Sequence, residues 1–247
     1  MLPTGNYLLD SLSLPLRSAI LAVARPCELE LKTILVRAGK APTSLVFLTS
    51  GMASLVVSMI DGGASEVGML GRDDMTGSST LIGPDVNHPQ CIVQIPGQGL
   101  QVPRQLLYNL FTTSLEFQNK ILEVVQRQLN ISAQLSACNL RHEAEGRFAR
   151  WLLTASDLIE SPTLIMTQEF LSEMLGTRRT TISAIVQPLR AQGLISVTRG
   201  TVRILDRPGL KAAACECYEI CRRSMHPEML PAANTGWSLN HRAIPAA

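Results

Sequence analysis

The residues with the most pointed chemistry lie between Thr167 and Leu205. On a 100° helical wheel, a helix beginning near Arg179 places Ile182, Ile185, Val186 and Leu189 at i, i+3, i+4 and i+7, a one-sided apolar stripe. The opposite side carries Thr180, Ala184 and Gln187, flanked by Arg179 and Ser183. Short polar and small side chains beside an arginine suit the major groove of a duplex, where a guanidinium can fork onto guanine and threonine can touch a thymine methyl. Upstream, about Gln168 to Leu175, the residues Phe170, Leu171, Met174 and Leu175 form one apolar face, and Gly176 stands where a left-handed C-cap is expected. Downstream, Leu194 to Leu205 alternates around Arg199-Gly200, which predicts a two-stranded wing presenting Arg199 to a phosphate backbone. Between Met174 and Leu210 six arginines (178, 179, 190, 199, 203, 207) stand against one acid, Asp206, a local excess of +5. Such a concentration favours salt-sensitive phosphate contacts. Pro188 opposes the second helix: it deletes the bond to Ala184, at about 3 kcal/mol in an ideal helix, and predicts a bend beyond the groove-reading end.

Other reactive residue types carry less. Cys215, Cys217 and Cys221, with His226 nearby, have C-x-C and C-x3-C spacings and lack the C-x2-C knuckles of structural zinc, so they read as small residues of an apolar helix. Asp73 and Asp74 are adjacent, which in an extended strand points them to opposite faces and makes a poor acid–base pair. His142 with Glu143 and Glu145 reads as a charged helix start, and Ser50-Gly51 lies outside any nucleophile-elbow pattern. No catalytic residue, metal or cofactor is expected.

The elements that must position the basic segment come next. In 247 residues, 46% hydrophobic and 17% charged, the chain can bury a sizeable core. Aromatics at 4% argue against carbohydrate-stacking surfaces. A net charge of +2 names no partner, but 18 of the 22 basic residues are arginine, the side chain suited to forked contacts with phosphates and bases. Six cysteines in a chain this long are no disulfide scaffold. The best N-terminal apolar stretch, Ala19 to Ala24, is short and lies between Arg17 and Arg25, so no secretory signal is expected. No run of about 18 apolar residues offers a membrane span. A cytoplasmic protein follows.

Leu8 to Ala24 has loose helical spacing broken by Pro15. From Glu28 to Val102, short runs (45–48, 55–60, 65–69 and 92–95) recur between glycines and prolines at about ten-residue intervals, the pattern of a small β sandwich or barrel. Asp61-Gly62-Gly63 predicts a hairpin turn between two of them. After Pro103 glycine disappears until Gly146, and Leu122, Val125, Leu129, Ser132 and Ser136 step by 3, 4, 3 and 4 along one seam of a long helix, which predicts pairing with a second copy. Beyond Arg223 the tail has no periodicity and is expected to be disordered.

Several strings carry a family resemblance. Leu171-Ser172-Glu173-Met174-Leu175-Gly176-Thr177-Arg178-Arg179-Thr180-Thr181-Ile182-Ser183 and Arg190-Ala191-Gln192-Gly193-Leu194-Ile195 resemble the helix-turn-helix of the Crp/Fnr family of bacterial transcriptional regulators. Ser50-Gly51-Met52, Gly71-Arg72-Asp73-Asp74-Met75-Thr76-Gly77, Arg199-Gly200 and Ala214-Cys215-Glu216-Cys217-Tyr218 resemble features of the same family, one of whose branches they fit. The resemblance runs over roughly residues 8 to 220. It implies an α+β fold: an N-terminal double-stranded β-helix, the jelly-roll-like cyclic-nucleotide-binding fold, over 1–103; a long dimerisation helix over 104–140; a winged helix-turn-helix over 141–210; and a C-terminal helix with a disordered tail over 211–247. It places Arg179, Thr180 and Ser183 at base-reading positions. It places Thr167, Gln168, Arg178 and Thr181 at phosphate positions, which Arg199 of the wing joins. It implies a homodimer acting on double-stranded DNA, with RNA polymerase as a further partner and a small effector.

The effector loop departs from the family pattern. Cyclic-nucleotide binders of the family carry a Gly-Glu pair for the ribose and an Arg followed by a small residue for the phosphate. Here the loop reads Gly71-Arg72-Asp73-Asp74, then Pro84-Asp85-Val86-Asn87-His88-Pro89-Gln90-Cys91, with no arginine between Arg72 and Arg104. A cyclic phosphate would lack a charge-assisted partner while Asp85 repels it, so cAMP is not the expected effector. An iron–sulfur cluster is not expected either, since only Cys27 lies near the N-terminus. The effector stays open. The competing reading is a ligand-binding or protein-interaction module with a vestigial DNA-binding domain.

Overall fold

The structure is a computed structural model that describes residues 2–60, 63–83, 89–166, 179–198 and 200–225. Two short helices, α1 (Tyr7–Asp10) and α2 (Leu14–Leu21), precede the strands. Asn6 caps α1 by accepting from Leu9 N at 3.0 Å, while its Nδ2 donates to the carbonyls of Leu48 and Asp74. That buried amide ties the N-terminus to the β domain at two points, a strand end at Leu48 and the loop at Asp74. Pro15 lies in the first turn of α2, where its missing N–H is unneeded, so it starts this helix rather than breaking it.

Strands β1 (Arg25–Leu29), β2 (Ile34–Val36), β3 (Ser44–Leu48), β4 (Met52–Ser58), β5 (Ala64–Leu70), β6 (Gln90–Ile95) and β7 (Gly97–Pro103) form two antiparallel sheets, β1-β7-β3 and β2-β6-β4-β5. Their facing sides enclose Leu29, Val46 and Leu48 from the first sheet and Val36, Ala53, Leu70, Cys91 and Val93 from the second. The small β sandwich expected from the glycine-bounded runs is therefore present, in the form of the double-stranded roll that the resemblance implies. Asp61 and Gly62 lie outside the described residues; on either side of them β4 and β5 pair antiparallel, with Ser58 opposite Ala64.

The stretch after Pro103 is two helices rather than one: α3 (Arg104–Thr113) and α4 (Leu115–Arg141). Ser114 is extended between them and caps α4 by accepting from Phe117 N. One side of α4 buries Phe117, Ile121 and Val124 against α1, α2, β3 and α3. Arg127 Nη2 reaches Asp74 Oδ1 at 2.6 Å, a largely buried ion pair fastening α4 to the β domain. The seam residues Leu122 and Leu129 are 44% and 67% exposed, and Leu115, in step with them at seven-residue spacing, is also exposed. No helix among the described residues is long and apolar enough to cross a membrane.

Beyond α4 come α5 (Ala144–Leu158), β8 (Thr163–Ile165), α6 (Arg179–Ala191), β9 (Ile195–Thr198), β10 (Thr201–Ile204), α7 (Arg207–Ala213) and α8 (Cys217–Met225). The largest core is shared. Met52, Val56, Met69 and Ile95 of the four-stranded sheet pack with Phe148, Trp151 and Leu152 of α5, and the same cluster continues to Ile182, Leu189 and Val202. A Cβ at Gly71 would meet Leu158 Cδ2 at 2.7 Å and Leu158 Cβ at 3.2 Å, so the Leu158 side chain would have to shift to admit it.

Candidate nucleic-acid interface

Helix α6 is built from its buried side outward. Ile182 and Leu189 are fully buried, with Ile185 and Val186 nearly so, packed on α5 and the following strands. Ser183, Ala184 and Gln187 are exposed on the other side. From Ile182 onward this is the amphipathic division that the wheel predicts. Pro188 does not end the helix, which continues to Ala191, and Gln192 N still donates to Pro188 O at 3.0 Å. The carbonyl that loses its donor belongs to Ala184, on the exposed side. The helix then stops in a Schellman turn: Leu194 N donates to Leu189 O and Gly193 N to Arg190 O, with Gly193 at φ +73°. That turn aims β9 back across the module.

The wing differs from the expected pair of strands. β9 and β10 do pair antiparallel, Thr198 opposite Thr201, but β8 adds to the outer edge of β10 to make three strands. Gly200 sits at φ +75° in the tip, which glycine accepts without cost. Met166 N donates to Gly200 O at 2.9 Å, joining the tip to the strand before the helix-turn-helix segment. Thr163–Ile165 carries only one strongly patterned residue, buried Leu164, so little in those three residues marks a strand.

Of the predicted contact residues, Ser183 is exposed on the outer side of α6, and Arg179, Thr180 and Thr181 form its first turn. Thr167, Gln168, Arg178 and Arg199 lie outside the described residues, as does the first helix from Gln168 to Leu175 with Gly176. Arg190 and Arg203 are exposed. Arg207, counted in the local basic excess, is engaged internally: it pairs with Asp157 and donates to Tyr218 Oη at 2.9 Å, while Tyr218 Oη donates to Asp157 Oδ2 at 2.8 Å. Burial, with the Asp157 hydrogen bond, pushes the Tyr218 phenol up to about 12. This trio bolts α7 and α8 to α5, a positioning role that no local pattern announces.

The second positioning contact joins the module to the β domain. Trp151 Nε1 donates to Glu66 Oε1 at 2.9 Å, and Ser54 Oγ donates to Glu66 Oε2 at 2.5 Å. Glu66 is buried, and desolvation raises its carboxyl to about 7 against the lowering effects of Ser54, Arg150 and Trp151. In the β-domain loop, Arg72 is occupied: Nε donates to Gly5 O, Nη1 pairs with Glu160 at 2.9 Å, and the guanidinium lies over the Tyr7 ring. Arg104 donates to Thr80. Asp85 and the rest of 84–88 lie outside the described residues, as does the tail beyond Met225.

A β roll, a long helical arm and a three-stranded wing beside a helix with an outward small-polar face form the architecture of a DNA-binding transcriptional regulator. Comparison with known proteins narrows this. A cyclic nucleotide-binding domain matches residues 26–114 and a Crp-like helix-turn-helix domain matches residues 146–213, in that order. Among curated proteins none matches the chain. Solved structures with the same fold include FixK2 from Bradyrhizobium japonicum, at 16% identity over 78% of this chain and 98% of that one, with a TM-score of 0.68. A CRP-family transcriptional regulator from Thermus thermophilus matches at 20% identity over 77% and 99%, TM-score 0.63. The c-di-GMP-responsive global regulator CLP of Xanthomonas campestris matches at 19% identity over 76% and 96%, TM-score 0.62. The chain belongs to the Crp/Fnr family of transcriptional regulators.

Proposed function

We propose that this regulator is a cytoplasmic homodimer that binds specific duplex sequences, with Arg179, Thr180 and Ser183 reading base edges and Thr167, Gln168, Arg178, Thr181 and Arg199 holding phosphates. The observation that carries the reading is the division of α6: Ser183, Ala184 and Gln187 face solvent while Ile182 and Leu189 are sealed inside. A helix held by one face with small residues on the other can enter a groove without steric conflict. The exposed leucine seam of α4 supports a second copy as its partner, which would set two recognition helices about one duplex turn apart. RNA polymerase is a further partner of the proposed regulator.

The effector of the β domain is a small molecule other than a cyclic nucleotide. In support, Arg72 and Arg104 are both committed to protein carbonyls or carboxylates, and the sequence between them supplies no other arginine for a cyclic phosphate. The test is a binding selection on random duplexes, run at several salt concentrations. Arg179→Ala relaxes base preference at one position, by about 1–3 kcal/mol, whereas Arg199→Ala weakens every sequence alike and lowers the salt slope by about one. Equal losses on all sequences for both variants, or affinity indifferent to salt, would refute these assignments and favour the vestigial-domain alternative.

A further inference from the structure

Four donor atoms meet where the end of α4 touches the start of α8. Cys138 lies in the last turn of α4 and His142 caps it; Cys215 and Cys217 flank Glu216 between α7 and α8. Cys138 Sγ is 3.6 Å from Cys215 Sγ, and Cys217 Sγ is 3.5 Å from His142 Nδ1. All four donor atoms lie within 4.8 Å of one another. Thiolate and imidazole donors on one tetrahedral ion, with bonds of about 2.3 Å and about 2.0–2.1 Å, stand about 3.8 Å apart for two sulfurs and about 3.6 Å apart for sulfur and nitrogen. The two observed separations match both edges.

The surroundings fit the same chemistry. His142 Nε2 lies 3.0 Å from Glu216 Oε1, which leaves Nδ1 turned toward the thiols. A carboxylate on the far nitrogen of a ligating imidazole is the usual outer support of a metal site. Gln134 Nε2 donates to Cys217 Sγ at 3.0 Å. The Arg150 guanidinium, 5% exposed and with its Nε unpartnered among the described residues, acts electrostatically on Cys138 and Cys215. Three thiolates around a dication carry one net negative charge, which this buried cation offsets.

We propose that Cys138, His142, Cys215 and Cys217 bind one thiophilic divalent cation of the zinc class in a closed tetrahedral site. Soft sulfur donors disfavour magnesium and calcium, and four protein ligands leave no open position for catalysis. The ion joins the end of α4 to the segment that follows the wing, across the α4–α5 junction at His142-Glu143. Metal occupancy therefore fixes the angle at which the DNA-binding module leaves the arm, and loading displaces the thiol protons. Spacing within the C-terminal segment, where Cys215, Cys217, Cys221 and His226 stand together, does not reveal this site. Half of the ligands come from a C-x3-H pair 77 residues upstream.

The test uses the full chain, reduced and stripped by a chelator, then titrated with cobalt(II) and afterwards zinc(II). One cobalt per chain is expected, with the strong visible bands of a tetrahedral site and thiolate-to-cobalt charge transfer, all displaced by one equivalent of zinc. Cys138→Ser and Cys217→Ser lose the charge-transfer band; Cys27→Ser and Cys91→Ser, in the β sheets, keep it. Glu216→Gln, a change at a side chain 69% exposed that leaves the core untouched, keeps the band but weakens zinc affinity about 10- to 100-fold against a chromophoric chelator. Reduced protein that takes up no cobalt overturns the proposal. So does a band that persists in Cys138→Ser and Cys217→Ser, or a Cys138–Cys215 disulfide that re-forms in place of metal binding. None of these readouts depends on DNA, so failure here leaves the regulatory function standing.

Discussion

Replacing Glu66 by glutamine should make the protein more stable at pH 8 and flatten its dependence on pH. Glu66 sits between the β domain and α5, bonded to Ser54 and Trp151, with the Arg150 guanidinium the charged group acting on it. Its carboxyl is raised from 4.5 to about 7 by burial. A raised acid favours the protonated native state, so its contribution is fully present below the unfolded value near 4.5. That contribution is lost as pH climbs through 7. A shift of this size corresponds to about 3 kcal/mol between the two plateaus. Glutamine keeps an acceptor for Trp151 Nε1 and gains a donor for Ser54 Oγ without the charge. Urea unfolding of wild type and Glu66→Gln at half-unit steps from pH 4 to pH 8.5 measures the difference. The variant should gain on wild type by about 3 kcal/mol across that span, most steeply between pH 5 and 7. A difference that stays constant with pH would refute the buried-carboxyl reasoning.

Two further outcomes follow from packing. Leu122→Glu with Leu129→Glu should keep the fold of the single chain, in which both side chains are exposed, but should shift its sedimentation to that of a monomer and lower the melting temperature to a value that no longer depends on protein concentration. Arg127→Met should cost about 3 kcal/mol in chemical denaturation, because it strands the buried Asp74 carboxylate without its partner. The double variant with Asp74→Asn should recover part of that loss.

Much of the architecture is legible where periodicity is local. The i, i+3, i+4, i+7 stripe of Ile182, Ile185, Val186 and Leu189 gives both the helix and its buried side. The runs at 45–48, 55–60, 65–69 and 92–95 give four strands of the roll, although β4 ends at Ser58, before Met59 and Ile60. β1 and β7 are harder, because Pro26, Gly97 and Gly99 break the alternation while backbone pairing still holds them in register. The seating of the C-terminal module is invisible in sequence. Trp151 and Glu66 are 85 positions apart and neither sits in a pattern that names the other. The same holds for Arg207, which counts toward the local basic excess until Asp157 and Tyr218 are seen around it. The cysteine–histidine cluster is legible only by pairing two short spacings that the fold alone brings together.

The apolar cluster that runs without interruption from the four-stranded sheet into the recognition module constrains signalling. Swinging α5 away would wet Met52, Val56, Met69 and Ile95 on one side and Phe148 and Trp151 on the other. At about 1.5–3 kcal/mol for each such side chain, complete separation would cost on the order of 10 kcal/mol. A ligand moves such an equilibrium only through its preference for one pose over the other. A signal acting on the proposed regulator would therefore work by small slippage within the contact, or by recruiting the free energy of DNA binding and of the proposed pairing together. Tight occupancy of the β roll alone would leave the helices where they are.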